Sequence, residues 1–250
     1  MLQMQPRLLS TPPADVAAVI RTIQTGLRTG SRNVAAELAA LRPEALTRKP
    51  EAVARTVAAV VGLCGGDTAA AQAMVKRQPS LLAASGRNWN GKLHLLGQLL
   101  DLQSPGQRKA LLAAAASAPN LLTRSPSALE ASAAALRKSH GKGTARALLA
   151  AAPQLLGYSA AALASRSDAL LQLSGLSDDW RARVDAARAE PAQLSAALLA
   201  PEAAWARLRW LIEMEQRLAP GDTSLLEVLL MSDDVFGDIY PQWRAARPEA

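Results

Sequence analysis

SPGQRKALLAAAASAPNLLTRSP, residues 104–126, holds one complete unit of the chain's helical grammar. Ser104, Pro105 and Gln107 make a helix start: a capping serine, a proline at the first helical position and a glutamine three residues on. Leu111, Leu112 and Ala115 then share one helical face. The helix must end near Ala118, because Pro119 restricts the residue before it and cannot continue the hydrogen-bond ladder. Leu121 and Leu122 fall on a short turn that tucks back toward the core. Ser125-Pro126 caps a second helix, with Leu129, Ala133 and Leu136 at helical spacing and Gly141 and Gly143 to stop it. A further helix is expected from about Thr144 to Ala152.

The same grammar recurs on both sides. Pro79-Ser80-Leu81-Leu82, Pro119-Asn120-Leu121-Leu122 and Pro153-Gln154-Leu155-Leu156 are three copies of Pro-x-Leu-Leu. Pro43-Glu44-Ala45-Leu46 is a looser copy and Pro191-Ala192-Gln193-Leu194 a degenerate fifth. The intervals are 36, 40, 34 and 38 residues, the scatter of a helical repeat with loop insertions. Pro50 opens a helix carrying Val53, Val57 and Val60; Gly65-Gly66-Asp67 separates that helix from the next. The extra residues of the third copy lie around Asp101–Pro105. A two-helix unit of this size cannot bury its apolar face alone, so the expected fold is all-α: a superhelical solenoid of about five repeats.

Composition agrees. Half of the 250 residues are apolar but only 3% are aromatic, and Ala and Leu dominate, which favours helices over strands. No apolar run reaches the ~18–20 uninterrupted residues of a membrane span, so no membrane partner is expected. Cys64 is the sole cysteine, and with His94 and His140 it cannot make a Cys/His zinc site. No phosphate loop, His/carboxylate pair or metal spacing appears, so neither catalysis nor a cofactor is expected. Residues 1–15 read as an N-terminal tail or the remnant of a targeting segment, 16–215 as the repeat domain and 216–250 as an acidic closing cap. In that cap Asp233, Asp234 and Asp238 read as caps and solvated ends rather than metal ligands.

A helix ending in Pro-x-Leu-Leu, a short turn, a capped second helix and a period in the mid-thirties resemble the mitochondrial transcription termination factor (mTERF) family. The resemblance rests on Pro43, Pro79, Pro119, Pro153 and Pro191 with the leucines that follow, and covers about residues 16–215. The closing stretch Leu225–Phe236 is also similar to the end of some members. The resemblance implies a superhelical protein of mitochondria or chloroplasts. It would bind DNA or RNA in transcription, its termination, or organellar ribosome biogenesis. Tetratricopeptide, pentatricopeptide and HEAT repeats fit this proline punctuation less well.

Net charge is +7, and it is uneven: residues 1–150 hold 19 Lys/Arg against 7 Asp/Glu, residues 151–250 hold 9 against 14. Arg32, Arg108 and Lys142 each lie eleven residues before a copy's proline, at the start of a first helix. The helix dipole disfavours cations there, so their recurrence suggests an external anion. Arg48 and Arg124 lie five residues after a proline; Arg55, Lys92 and Arg166 lie twelve or thirteen after. With Arg87, Lys109, Lys138 and Arg146 these form the expected phosphate-contacting set, aligned along a concave basic groove. Trp89 and Tyr158 are candidates for base stacking, packing within the repeats being the competing reading of both. The expected partner is double-stranded DNA, with structured RNA as the alternative, bound by a monomer. A protein–protein scaffold is the second reading, with a protein partner at the acidic end.

Overall fold

The computed structural model describes residues 8, 10–84, 89–216, 220, 221 and 223–245, and about four-fifths of them are helical. No strand occurs among the described residues. The chain divides into two compact units, Met1–Pro126 and Ser127–Ala250.

In unit 1, α1 (Pro13–Leu27) packs against α2 (Arg32–Ala40), α3 (Pro50–Leu63) and α4 (Thr68–Arg77). Val19, Ile23 and Leu27 of α1 and Val53, Val57 and Val60 of α3 are buried. The two helices approach closely at Gly26, where an added Cβ would come within 2.5 Å of Val57 Cγ1. Next come the short α5 (Ser80–Ala83), α6 (Trp89–Leu100) and α7 (Arg108–Ser117). The proline-marked segments behave as the sequence requires. Pro43–Thr47 and Pro119–Leu122 are 3-10 turns, and α5 follows Pro79 directly. Leu46, Leu81, Leu82, Leu121 and Leu122 are all buried. α7 ends at Ser117 with Ala118 as its cap, as Pro119 dictates. Gly65 and Gly66 take positive φ between α3 and α4. At the other expected start, Ser104 donates its backbone N–H and its hydroxyl to Gln107 Oε1, at 3.2 and 2.8 Å. The loop before it turns at Asp101, φ +57°.

Unit 2 opens with α8 (Pro126–Ala151), bent at Gly141, whose φ is 79° and ψ 162°. Gly141 alone makes the break. Helix resumes at Lys142 and runs through Gly143, so the expected second stop does not occur. The turn Pro153–Gly157 leads to α9 (Ala160–Leu176), α10 (Asp178–Ala189), α11 (Pro191–Leu199) and α12 (Glu202–Glu213). After Pro191 the turn has grown into the full helix α11. The closing segment is folded against this core. α13 (Leu225–Leu230) packs on α10, α11 and α12, and α14 (Asp233–Ile239) packs on α15 (Pro241–Ala245). Phe236, Tyr240 and Trp243 gather around Trp210 with ring centroids 5.6–6.1 Å from it. Burial in this cluster pushes the Tyr240 hydroxyl up to about 12.

One bond type recurs through both units. Thirteen residues after each of the first four repeat prolines, on the second helix, stands a polar side chain: Thr56, Lys92, Ser132 and Arg166. Each reaches a backbone carbonyl in or beside the next proline segment. The Thr56 hydroxyl lies 3.1 Å from Ala84 O and Lys92 Nζ 2.6 Å from Leu122 O. The Ser132 hydroxyl lies 2.6 Å from Tyr158 O, and Arg166 donates to Leu198 O. Short helices and 3-10 turns leave carbonyls without intrahelical partners, and a buried orphan is expensive, so a donor fixed at this register satisfies them.

Arg207 of α12 repeats the arrangement once more. Arg166 donates to Leu198 O of α11 and pairs with Glu202, the first residue of α12. Arg207 donates to Leu229 O of α13 and pairs with Asp233, the first residue of α14. α13 and α14 thus take the places of α11 and α12, as a truncated further copy. Its sequence sign is Leu-x-x-x-Leu-Leu-x-x-acid, at Leu194–Glu202 and again at Leu225–Asp233.

Candidate nucleic-acid interface

The cations expected to meet phosphate fall into two groups, separated by which way the helix turns them. Arg32 and Arg108 are the first residues of α2 and α7, and both are exposed. Lys142 opens the second half of α8, also exposed. None of the three lies within 4.0 Å of a carboxylate among the described residues. Arg55, Lys109, Lys138 and Arg146 are exposed too. Arg137, beside Lys138, joins them. Arg124 is half-buried. Arg87 lies outside the described residues.

The second group faces inward and leaves the expected set. Arg166 is 6% exposed; besides Leu198 O and Glu202 it stacks over the Tyr158 ring at 4.6 Å and the Trp205 ring at 5.3 Å. Lys92 gives its ammonium to Leu122 O, and burial holds its pKa below the ordinary lysine value. Arg48 donates through Nη1 to Leu82 O at 2.6 Å and Ala84 O at 2.9 Å. Burial first, and the nearby Arg55 second, hold its pKa down. These three tie down the next proline segment through its carbonyls; Arg166 is buried, Arg48 and Lys92 half-buried. Arg55 and Lys92 show why the sequence grouped them wrongly. They stand twelve and thirteen residues after their prolines, and one residue is ~100° of helix rotation, enough to separate solvent from the inter-helix seam.

The stacking candidates are also corrected. Trp89 is 3% exposed, part of the α6 packing. Tyr158 donates its hydroxyl to Leu199 O at 3.3 Å and has Arg166 over its ring. Trp89 presents no face to a base, and Tyr158 is half-buried with its hydroxyl and one ring face engaged.

Two copies lack the helix-start cation, and there the start is capped by acid or hydroxyl. The Asp67 carboxylate accepts from the N–H groups of Ala69 and Ala70 at 2.8 and 3.0 Å. Ser177 accepts from Trp180 N, with Asp178 and Asp179 in the first turn. The basic starts therefore alternate with a dipole-matched one in unit 1.

The acidic end is engaged internally. Asp233 pairs with Arg207, and Asp238 with Arg244 at 2.9 Å. Asp178, Asp179 and Asp185 pair with arginines three or four residues on in α10. Among the described residues no three of His, Cys, Asp and Glu converge as metal ligands. No described helix is by itself long and apolar enough to cross a membrane. Comparison with protein-family models, curated proteins and solved structures returned no match.

Proposed function

We propose that this chain is a non-catalytic nucleic-acid-binding α-solenoid of about five repeats, resembling the mTERF family and acting in organellar gene expression. Double-stranded DNA is the favoured ligand, with structured RNA the alternative. The observation that carries this reading is the state of the outward cations. Arg32, Arg55, Arg108 and Lys109 on unit 1, and Lys138 and Lys142 on α8, are exposed and lie within salt-bridge distance of no described carboxylate. Like charges left unmatched at this density repel one another, and a polyanion offsets that repulsion. With Trp89 buried and Tyr158 half-buried under Arg166, recognition rests on phosphate contacts and duplex shape rather than base stacking.

The test is a binding titration of labelled duplex DNA and hairpin RNA over a range of salt concentrations. Affinity should fall steeply with salt, with a logarithmic slope of about 0.9 per neutralised phosphate on duplex DNA. No binding at low salt, or affinity indifferent to salt, overturns the proposal.

A further inference from the structure

Large apolar side chains stand in the open at the closing end of unit 2: Leu230 is 60% exposed, Val235 48% and Ile239 40%. They are arranged, not scattered. On α14, Val235 and Ile239 are four residues apart and share a face, and the exposed Asp234 and Asp238 form the stripe beside it. α13 repeats the scheme, with Leu226 and Leu230 on one stripe and Glu227 next to it. Leu226, Leu230 and Met231 line a cleft of about 500 Å³ whose polar rim is Gln193, Ser224 and Glu227. Gln193 in turn donates to Glu190, another exposed carboxylate. The opposite faces of both helices are already covered: Leu225, Val228, Leu229 and Phe236 are buried.

The charges at this edge keep their sign. Glu227 accepts from Ser224 N in a capping box, which holds its carboxyl below the usual range and ionised. The Asp234 carboxylate lies within 4.0 Å of no described cation; Arg244 pairs with Asp238 at 2.9 Å and donates to Asp234 O, so Glu190, Glu227 and Asp234 carry the unpaired negative charge of this edge. Paired apolar and acidic stripes at helical spacing match one chemistry: a helix with an apolar stripe flanked by Lys or Arg.

We propose that the exposed edge of α13 and α14 is a docking surface for a basic amphipathic helix of a partner protein. It does not depend on the nucleic-acid reading.

The experiment uses the full chain, freed of nucleic acid, and a fluorescent synthetic Leu/Lys amphipathic helix. Its controls are the Leu/Glu helix with the same apolar stripe and a scrambled Leu/Lys peptide. The Leu/Lys helix should bind about tenfold more tightly than either control. The variant Leu230→Ser/Val235→Ser/Ile239→Ser should lose about tenfold in affinity while its thermal melt stays that of the wild type. Asp234→Lys, at an exposed position, should weaken the Leu/Lys helix and strengthen the Leu/Glu helix. Equal binding of the two helices, or unchanged binding by the triple variant, overturns the proposal. So does sedimentation showing that the wild-type chain self-associates and the triple variant does not, since a second copy would then cover the edge.

Discussion

Unit 1 and the α9–α14 region of unit 2 use the same cation in opposite ways. In unit 2, Arg166, Arg181, Arg183, Arg188, Arg207, Arg209 and Arg244 each have a carboxylate within 4.0 Å. Arg183 also ties down the loop before α13 through the carbonyls of Thr223 and Gly221. Residues 127–250 supply the acid for this, 15 Asp/Glu against 13 Lys/Arg; residues 1–126 hold 6 against 15. Unit 1 therefore has few carboxylates for its cations to meet, and Arg32, Arg55, Arg108 and Lys109 stand in solvent. A count of Lys and Arg does not distinguish a structural tie from a ligand contact. The partner each one has within its own unit does.

The sharpest way to break this comparison is to remove an inward cation. Arg166→Ala leaves Glu202 without one partner and Leu198 O without its donor, in a site where the arginine side chain is 7% exposed. Loss of about 2–3 kcal/mol is expected by urea unfolding, from the unsatisfied Leu198 carbonyl and the lost ring contacts, since the exposed Glu202 keeps Arg209. An unchanged midpoint would mean that Arg166 is no tie.

Reversing the outward cations should do the converse. The Arg32→Glu/Arg108→Glu/Lys142→Glu variant should unfold at the wild-type urea concentration. It should bind duplex DNA at least about tenfold more weakly, and its salt slope should be shallower by about one unit for each phosphate it no longer neutralises. Wild-type binding would remove these three from the interface.

Lys92 crosses the two categories, an inward cation in the basic unit. Lys92→Met keeps the aliphatic stem and removes the bond to Leu122 O, so about 1 kcal/mol of stability should go. DNA affinity should stay. If affinity falls and stability does not, Lys92 belongs with Arg55 after all.

The smallest effect is a pH dependence confined to unit 2. His140 shares a hydrogen bond of 2.9 Å with Ser167 Oγ, and burial, then Arg188, depresses its pKa below 6.5. The unfolded chain binds that proton more readily than the folded one. Its contribution to stability is therefore complete above about pH 6.5 and declines as pH falls through the depressed value. Melting temperatures recorded from pH 7 down to 5 should show this decline in the wild type and a flatter course in His140→Gln.

Much of the fold was legible locally. Pro119 ended α7 at Ser117, and the glycines at 65 and 66 turned the chain between α3 and α4; Ser104 and Gln107 bond each other, but the Ser104 hydroxyl donates and caps no backbone N–H. Gly143 was misread because a glycine away from a turn is merely a weak helix former, and Gly141 had already supplied the break. The likeness of α13 and α14 to α11 and α12 carries no proline, because Asp222 stands where Pro191 would recur. The candidate site was legible less well. Arg32 and Arg108 stood where expected, but Lys92, Arg166 and Trp89 pointed into the protein.

What the sequence determined by itself is where helices begin and end, since proline, glycine and capping side chains act on the backbone within three or four residues. It also determined that the chain is all-α and that positive charge gathers in its first part. Only the tertiary structure decided which cations remain for a ligand. Lys92 and Arg166 find their carbonyls 30 and 32 residues away, and a single step along the helix moves a side chain from such a carbonyl into water. Partners that distant are set by packing, not by local spacing.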